Sequence, residues 1–187
     1  MFYVINGKKI IKIFNILIFL IVAIFLGKSL ISYIFPIKYE NIVEKYAKKY
    51  NIEQDLVFAV INAESRFDKN AISNKGAIGL MQIMPETGEW LADKMEIEDF
   101  SEEMLYEPET NIKIGCYYLG YLIEKFEDEK LVLCAYNAGT TNVYKWLEDE
   151  KYSLNGDIHT IPFKETDKYV TKINLLKKGY NIILKFI

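Results

Sequence analysis

Glu64 is the side chain in this sequence best placed to move a proton. It ends the run Leu56–Ala63, read as Leu-Val-Phe-Ala-Val-Ile-Asn-Ala, where a helix face stays apolar for three turns. A carboxyl at such a place loses water, and desolvation raises its pKa toward that of a general acid at neutral pH. Ser65 follows it and can hydrogen-bond the carboxyl or position its neighbours. Taken alone, Glu64 also reads as a solvated helix-end glutamate, the commoner case for this residue type. Three more blocks bear on the choice. Asn70–Thr87 reads NAISNKGAIGLMQIMPET. Gly76 and Gly79 let the backbone turn tightly and approach a ligand, and Gln82 with Met81 and Met84 then stands beside a helix start. Ala135–Gly139 (AYNAG) is a helix end carrying the Tyr136 hydroxyl and the Asn137 amide. Ile161–Thr166 (IPFKET) brings Glu165, with Tyr169 close behind. One by one these are a Gly-rich loop, a helix C-terminus and a helix N-terminus. Together they supply amides, hydroxyls and aromatic faces without a basic cluster, which suits a neutral sugar.

The inventory narrows the chemistry further. With one histidine, His159, and two cysteines, Cys116 and Cys134, a zinc site built on several His and Cys ligands is excluded. His159 is also the sole base open to a Ser-His-Asp or Cys-His device. No metal or other cofactor is expected. Both cysteines sit on apolar helix faces and read as buried free thiols or as a bridge, which an extracytoplasmic location permits. Residues 1–38 carry five lysines and no acid, whereas residues 39–187 hold 18 basic and 26 acidic groups. An acidic body speaks against nucleic acid as a partner.

Helices must position these groups. Apolar spacing predicts helices over Tyr39–Tyr50 and Ile52–Glu64, the second opened by Asn51 as N-cap with Gln54 in capping-box position. Pro85 fits the first turn of a helix carrying Trp90 and Leu91, and Pro108 starts a longer one, Glu109–Phe126. Leu131–Ala138, Thr141–Leu147 and Thr166–Phe186 complete the set, with Lys151–Lys164 irregular and no lasting strand alternation. The expected fold is mainly α, a single helical domain over residues 38–187.

Residues 1–37 read as a short cytoplasmic N-terminus and a transmembrane anchor. Ile13–Ile37 is apolar on every face apart from Lys28, which can snorkel, and 25 residues exceed the ~20 that cross a ~30 Å hydrocarbon core. A cleaved signal peptide is the alternative, but Gly27-Lys28-Ser29 makes a poor cleavage site. Lys8, Lys9 and Lys12 precede the span, so the positive-inside rule keeps the N-terminus in the cytoplasm. The expected location is the cell membrane, single-pass, with the body on the extracytoplasmic side.

The four blocks, in this order, resemble the lytic transglycosylases of the soluble-lytic-transglycosylase type, whose catalytic domain is a goose-type, lysozyme-like helical fold. The resemblance runs from about Ile52 to Ile173. It implies Glu64 as catalytic acid/base, with Gln82, Met84 and Thr87 lining a glycan groove. By the same resemblance Tyr136 is the aromatic beside the catalytic carboxyl, accompanied by Asn137; Glu165 is a second groove carboxylate, and Tyr169 supports the glutamate. Ser65 belongs to the same substrate-binding set. The implied partner is the peptidoglycan glycan strand. The implied reaction uses one carboxyl twice and closes a 1,6-anhydro ring on N-acetylmuramic acid without consuming water. A hydrolytic muramidase, with Asp68 or Glu86 helping a water, and a non-catalytic membrane-tethered glycan-binding module remain the alternatives.

Overall fold

A computed structural model describes residues 7–186, with side chains from Ile11 onward. The cytoplasmic segment expected at the N-terminus lies, up to residue 6, outside the described residues. The chain divides into two compact units, residues 1–36 and 37–187.

The first unit is one helix, α1 (Gly7–Ile34). Its stretch Ile11–Ile34, 24 residues, is long and apolar enough to cross a membrane, and its side chains are exposed along nearly its whole length. At ~1.5 Å per residue this covers about 36 Å. The helix stops at Ile34, short of the expected Ile37, because Pro36 disfavours helical geometry at Phe35.

In the second unit, α2 (Glu40–Lys49) leads to α3 (Gln54–Ser65). Asn51 does not cap α3. It has φ +53 and ends α2 in a Schellman arrangement, in which Ile52 N–H donates to Ala47 O (2.9 Å) and Asn51 N–H to Lys48 O (3.4 Å). Asparagine tolerates the left-handed region that this turn demands. Helix α3 then opens two residues later, behind Glu53. Leu56 to Ile61 are all buried, so α3 is enclosed on every side rather than on one face. It packs most extensively against α8 (Lys164–Ile183), which continues as a 3-10 turn to Phe186.

Between these central helices lie α4 (Pro85–Lys94), a 3-10 turn at Glu102–Tyr106, α5 (Pro108–Phe126), α6 (Glu129–Ala138) and α7 (Thr140–Glu148). Helix α6 starts earlier than its apolar pattern because the Asp128 carboxylate accepts from Leu131 N–H at 3.0 Å. A single residue, Gly139 at φ +84, ends α6 and begins α7. The irregular stretch after α7 holds a short hairpin, β1 (Ser153–Leu154) against β2 (Asp157–Ile158), turned by Asn155-Gly156, both with positive φ. That dipeptide suits such a turn, although the flanking strands are too short for their alternation to register. Cys116 and Cys134 are both buried and unbridged. Burial pushes the Cys134 thiol up to about 11, away from any nucleophilic role.

Candidate active site

Glu64 lies in the last turn of α3. Immediately after Ser65 the chain reverses through two consecutive left-handed residues, Arg66 (φ +52) and Phe67 (φ +64). Such geometry costs a non-glycine residue on the order of 1–3 kcal/mol. The Phe67 ring, buried and 6.1 Å from the Phe58 ring, holds the turn against the core. The chain is thereby sent into the loop Asn70–Met84.

That loop is folded on itself and tied to three helices. Ile78 and Ile83 exchange backbone bonds of 2.9 and 3.0 Å, and Gly79 N–H donates to Ala71 O (2.9 Å). Helix α3 holds the loop through Ser65 Oγ, 2.8 Å from Leu80 O. Helix α6 holds it through the Tyr136 hydroxyl, which donates to Met81 O at 2.8 Å. Helix α5 supplies Asn111, fully buried, whose Nδ2 donates to Ile78 O (3.0 Å) and Leu105 O (2.8 Å) while its Oδ1 accepts from Met81 N–H (2.7 Å). Gly79 (φ +78) passes so close to Asn111 and the Leu105 carbonyl that a Cβ there would overlap both. No other residue type fits.

The loop, α3, α6 and the start of α8 enclose a groove of about 510 Å³. It is lined by Glu64, Gln82, Met84, Tyr136, Asn137 and Glu165, together with Ser73, Asn74, Lys75 and Ala77. Desolvation pushes the Glu64 carboxyl up to about 7, against the lowering influence of Tyr169 and Lys172. The Tyr169 hydroxyl is buried beneath it and has no hydrogen-bond partner of ordinary geometry among the described residues, Glu64 being the group it faces electrostatically. Lys172 Nζ donates to Ala63 O at 2.8 Å, satisfying a carbonyl at the end of α3 and bringing a positive charge near Glu64.

The other lining groups are polar and preset. Gln82 has φ +49, and its Nε2 donates to Ala71 O (3.1 Å) and Gly79 O (2.9 Å), which leaves its carbonyl oxygen as the outward acceptor. Asn137 Oδ1 accepts from the buried Thr166 hydroxyl (2.7 Å), so its amide hydrogens remain to donate. Glu165 is exposed and sits 3.7 Å from Lys75 Nζ at the groove rim.

Six of the expected site residues therefore converge: Glu64, Gln82, Met84, Tyr136, Asn137 and Glu165. Three do not line the groove. Ser65 directs its hydroxyl to the Leu80 and Ile61 carbonyls, Tyr169 stands beneath Glu64, and Thr87 is half-buried in the first turn of α4. Asp68 and Glu86 are exposed and lie outside the lining; Asp68 Oδ1 accepts from Asn70 N–H (2.9 Å) in a local turn. Sequence reasoning missed Ser73, Asn74, Lys75 and Ala77, which belong to the same loop but look like ordinary turn residues. It also missed Asn111 and Thr166, buried polar residues with partners about 30 residues away in sequence. Among the described residues no group of three or more His, Cys, Asp or Glu side chains could hold a metal ion.

The chain is similar to several known proteins. The chain is 35% identical over 143 residues to the soluble lytic murein transglycosylase of Salmonella typhimurium, covering 74% of this chain and 22% of that protein. It is 28% identical over 166 residues to the membrane-bound lytic murein transglycosylase C of Yersinia pestis, covering 76% of this chain and 46% of that one. The X-ray structure of an inactive glutamate-to-glutamine mutant of the lytic transglycosylase Slt of Pseudomonas aeruginosa superposes with a TM-score of 0.73 at 34% identity, covering 81% of this chain and 25% of that one. The domain thus has the lysozyme-like fold of those enzymes, while the chain spans less than half the length of these relatives. The transglycosylase SLT domain family matches residues 41–157, more than half of the sequence, and the chain belongs to that family.

Proposed function

We propose that this protein is a peptidoglycan lytic transglycosylase that cleaves the β-1,4 bond between N-acetylmuramic acid and N-acetylglucosamine, with Glu64 as its single general acid/base. The observation that carries the reading is the disparity between the groove's two carboxyls. Glu64 is desolvated with a pKa near 7, whereas Glu165 is exposed and paired with Lys75. A carboxyl poised near 7 can give and take a proton in one cycle. Glu64 protonates the glycosidic oxygen as the C1–O bond breaks, and the N-acetyl group of the muramoyl residue stabilises the cation at C1. The Glu64 carboxylate then removes the O6 proton, and O6 bonds to C1 to close the 1,6-anhydro ring. The glutamate is restored and water is not consumed.

Gln82, Met84, Tyr136, Asn137 and Glu165 contact the glycan from the groove walls, while Ser65 and Tyr169 position the acid; Thr87 acts through α4. The exposed positions of Asp68 and Glu86 count against a water-activating partner. The inactive glutamine mutant of the relative supports a glutamate-dependent reaction. Helix α1 anchors the enzyme in a membrane as a single span, with the lysines before it on the cytoplasmic side and the domain outside. The membrane-bound relative supports that placement.

Mass spectrometry of muropeptides after digestion tests the chemistry. Anhydromuramoyl ends are expected; ends heavier by one water would make the enzyme a muramidase, and no cleavage at all would leave a glycan-binding module.

A further inference from the structure

The part of α8 beyond its first turn differs from the rest of the domain in charge and in what it exposes. Glu165 and Asp167 stand in the first turn. Residues 39–167 carry 13 basic and 26 acidic side chains, whereas residues 168–186 carry five lysines and no acid. The inner side of α8, with Tyr169, Val170, Ile173 and Tyr180, is buried in the core. On the opposite side stand Leu175, Ile182 and Phe186, exposed by 71%, 60% and 85%. At 100° per residue Leu175 and Ile182 fall on nearly one line along the helix with Lys168 and Lys178 beside it, and Lys185 and Phe186 follow in the 3-10 turn beyond Ile183. All three lysines are exposed and take part in no ion pair among the described residues. Apolar side chains exposed at such spacing and bordered by unpaired lysines have the form of a helix that lies in a lipid interface.

We propose that the outer face of α8 docks on the anionic phospholipid surface of the bilayer, with Leu175, Ile182 and Phe186 entering the headgroup boundary and Lys168, Lys178 and Lys185 meeting lipid phosphates. The charge pattern selects this occupant. The acidic remainder of the domain is repelled by an anionic surface, so α8 is the side that such a surface attracts. The inference rests on the anchoring of α1 only for bringing the domain to a membrane. Its consequence is a fixed orientation of the groove relative to the lipid.

The test uses the full chain carrying Leu175→Cys, labelled with a nitrobenzoxadiazole dye and reconstituted in phosphatidylglycerol or phosphatidylcholine vesicles. The two native thiols are buried, so the label goes to position 175. In phosphatidylglycerol the label should shift to the blue and be quenched by lipids carrying a quencher on the acyl chain. Combining Lys168→Glu, Lys178→Glu and Lys185→Glu should lower the ratio of docked to undocked domain at least about a hundredfold, at roughly fivefold per lysine. A label that stays wet while the protein floats with the vesicles overturns the proposal and leaves the anchor standing. A shift without quenching means that a second copy covers the face and overturns it too, as does a shift equally strong in phosphatidylcholine or in the triple variant. Failure to float removes both the anchor and the docking.

Discussion

At the scale of single residues, Glu64 carries two consequences that one substitution separates. Glu64→Gln keeps the shape and hydrogen-bonding capacity of the side chain but cannot transfer a proton. General acid–base assistance is commonly worth about 10²–10⁴ in rate, and in the proposed mechanism one residue serves both transfers, so peptidoglycan cleavage should fall by at least about 10⁴. A variant that melts normally yet releases anhydromuropeptides at more than about a tenth of the parent rate would show that the acid lies elsewhere. The same variant reports on stability. Between pH 4.5 and about 7 the folded protein retains a Glu64 proton that the unfolded chain has released, so stability declines as pH rises through that window. Above about pH 7 the full penalty is present, at most on the order of 3 kcal/mol. Glu64→Gln should therefore melt higher than the parent at pH 8 and at about the same temperature near pH 4; an unchanged difference across that range would mean that the carboxyl is not desolvated. Gln82→Ala is milder. It loses an outward acceptor and two bonds to loop carbonyls, and turnover should drop with the helix content unaltered in circular dichroism.

At the scale of elements, the Asn70–Met84 loop depends on a residue well outside it. Asn111→Ala strands the Met81 N–H and the Ile78 and Leu105 carbonyls in a dry interior, and should cost roughly 3–9 kcal/mol in denaturant unfolding at 1–3 kcal/mol per orphaned group. A loss under about 1 kcal/mol would mean that water reaches the junction. The same residue illustrates what the amino-acid order conceals. Helices α2 to α8 were legible because apolar spacing, prolines at first turns and glycine at a junction are local signals. Glu64, Gln82, Met84, Tyr136, Asn137 and Glu165 were legible through their motifs. Asn111 sits among the buried apolar residues Ile112, Ile114 and Cys116, and no local rule marks a buried amide two of whose three partners lie about 30 residues away. Asn51 misled for a related reason, since a residue suited to opening a helix is equally suited to ending one. Ser65 lies beside Glu64, which lines the groove, but adjacency along a helix turns neighbouring side chains to different sides.

At the scale of the whole molecule, the groove wall cannot be separated from the fold that carries it. The three ties described above join α3, α5 and α6 at one short segment, Ile78–Met81, and each tie is made by a side chain that is buried or partly buried. Loops that line ligand sites commonly belong to the parts of a protein that open most readily. This one should instead rank with the slowest-exchanging amides: Met81 N–H, held by Asn111, and Ile78 and Ile83 N–H, held by each other, are expected to lose their hydrogen only when the entire domain opens. Hydrogen exchange followed by mass spectrometry checks this, and protection that disappears at these three amides before it disappears in α3 would contradict it. The practical result is a molecule without a half-working state. On heating, the proposed cleavage and the helical signal should vanish together, so a core lesion away from Glu64 and Tyr169 is felt as a shortage of active molecules and leaves the speed of each surviving one intact.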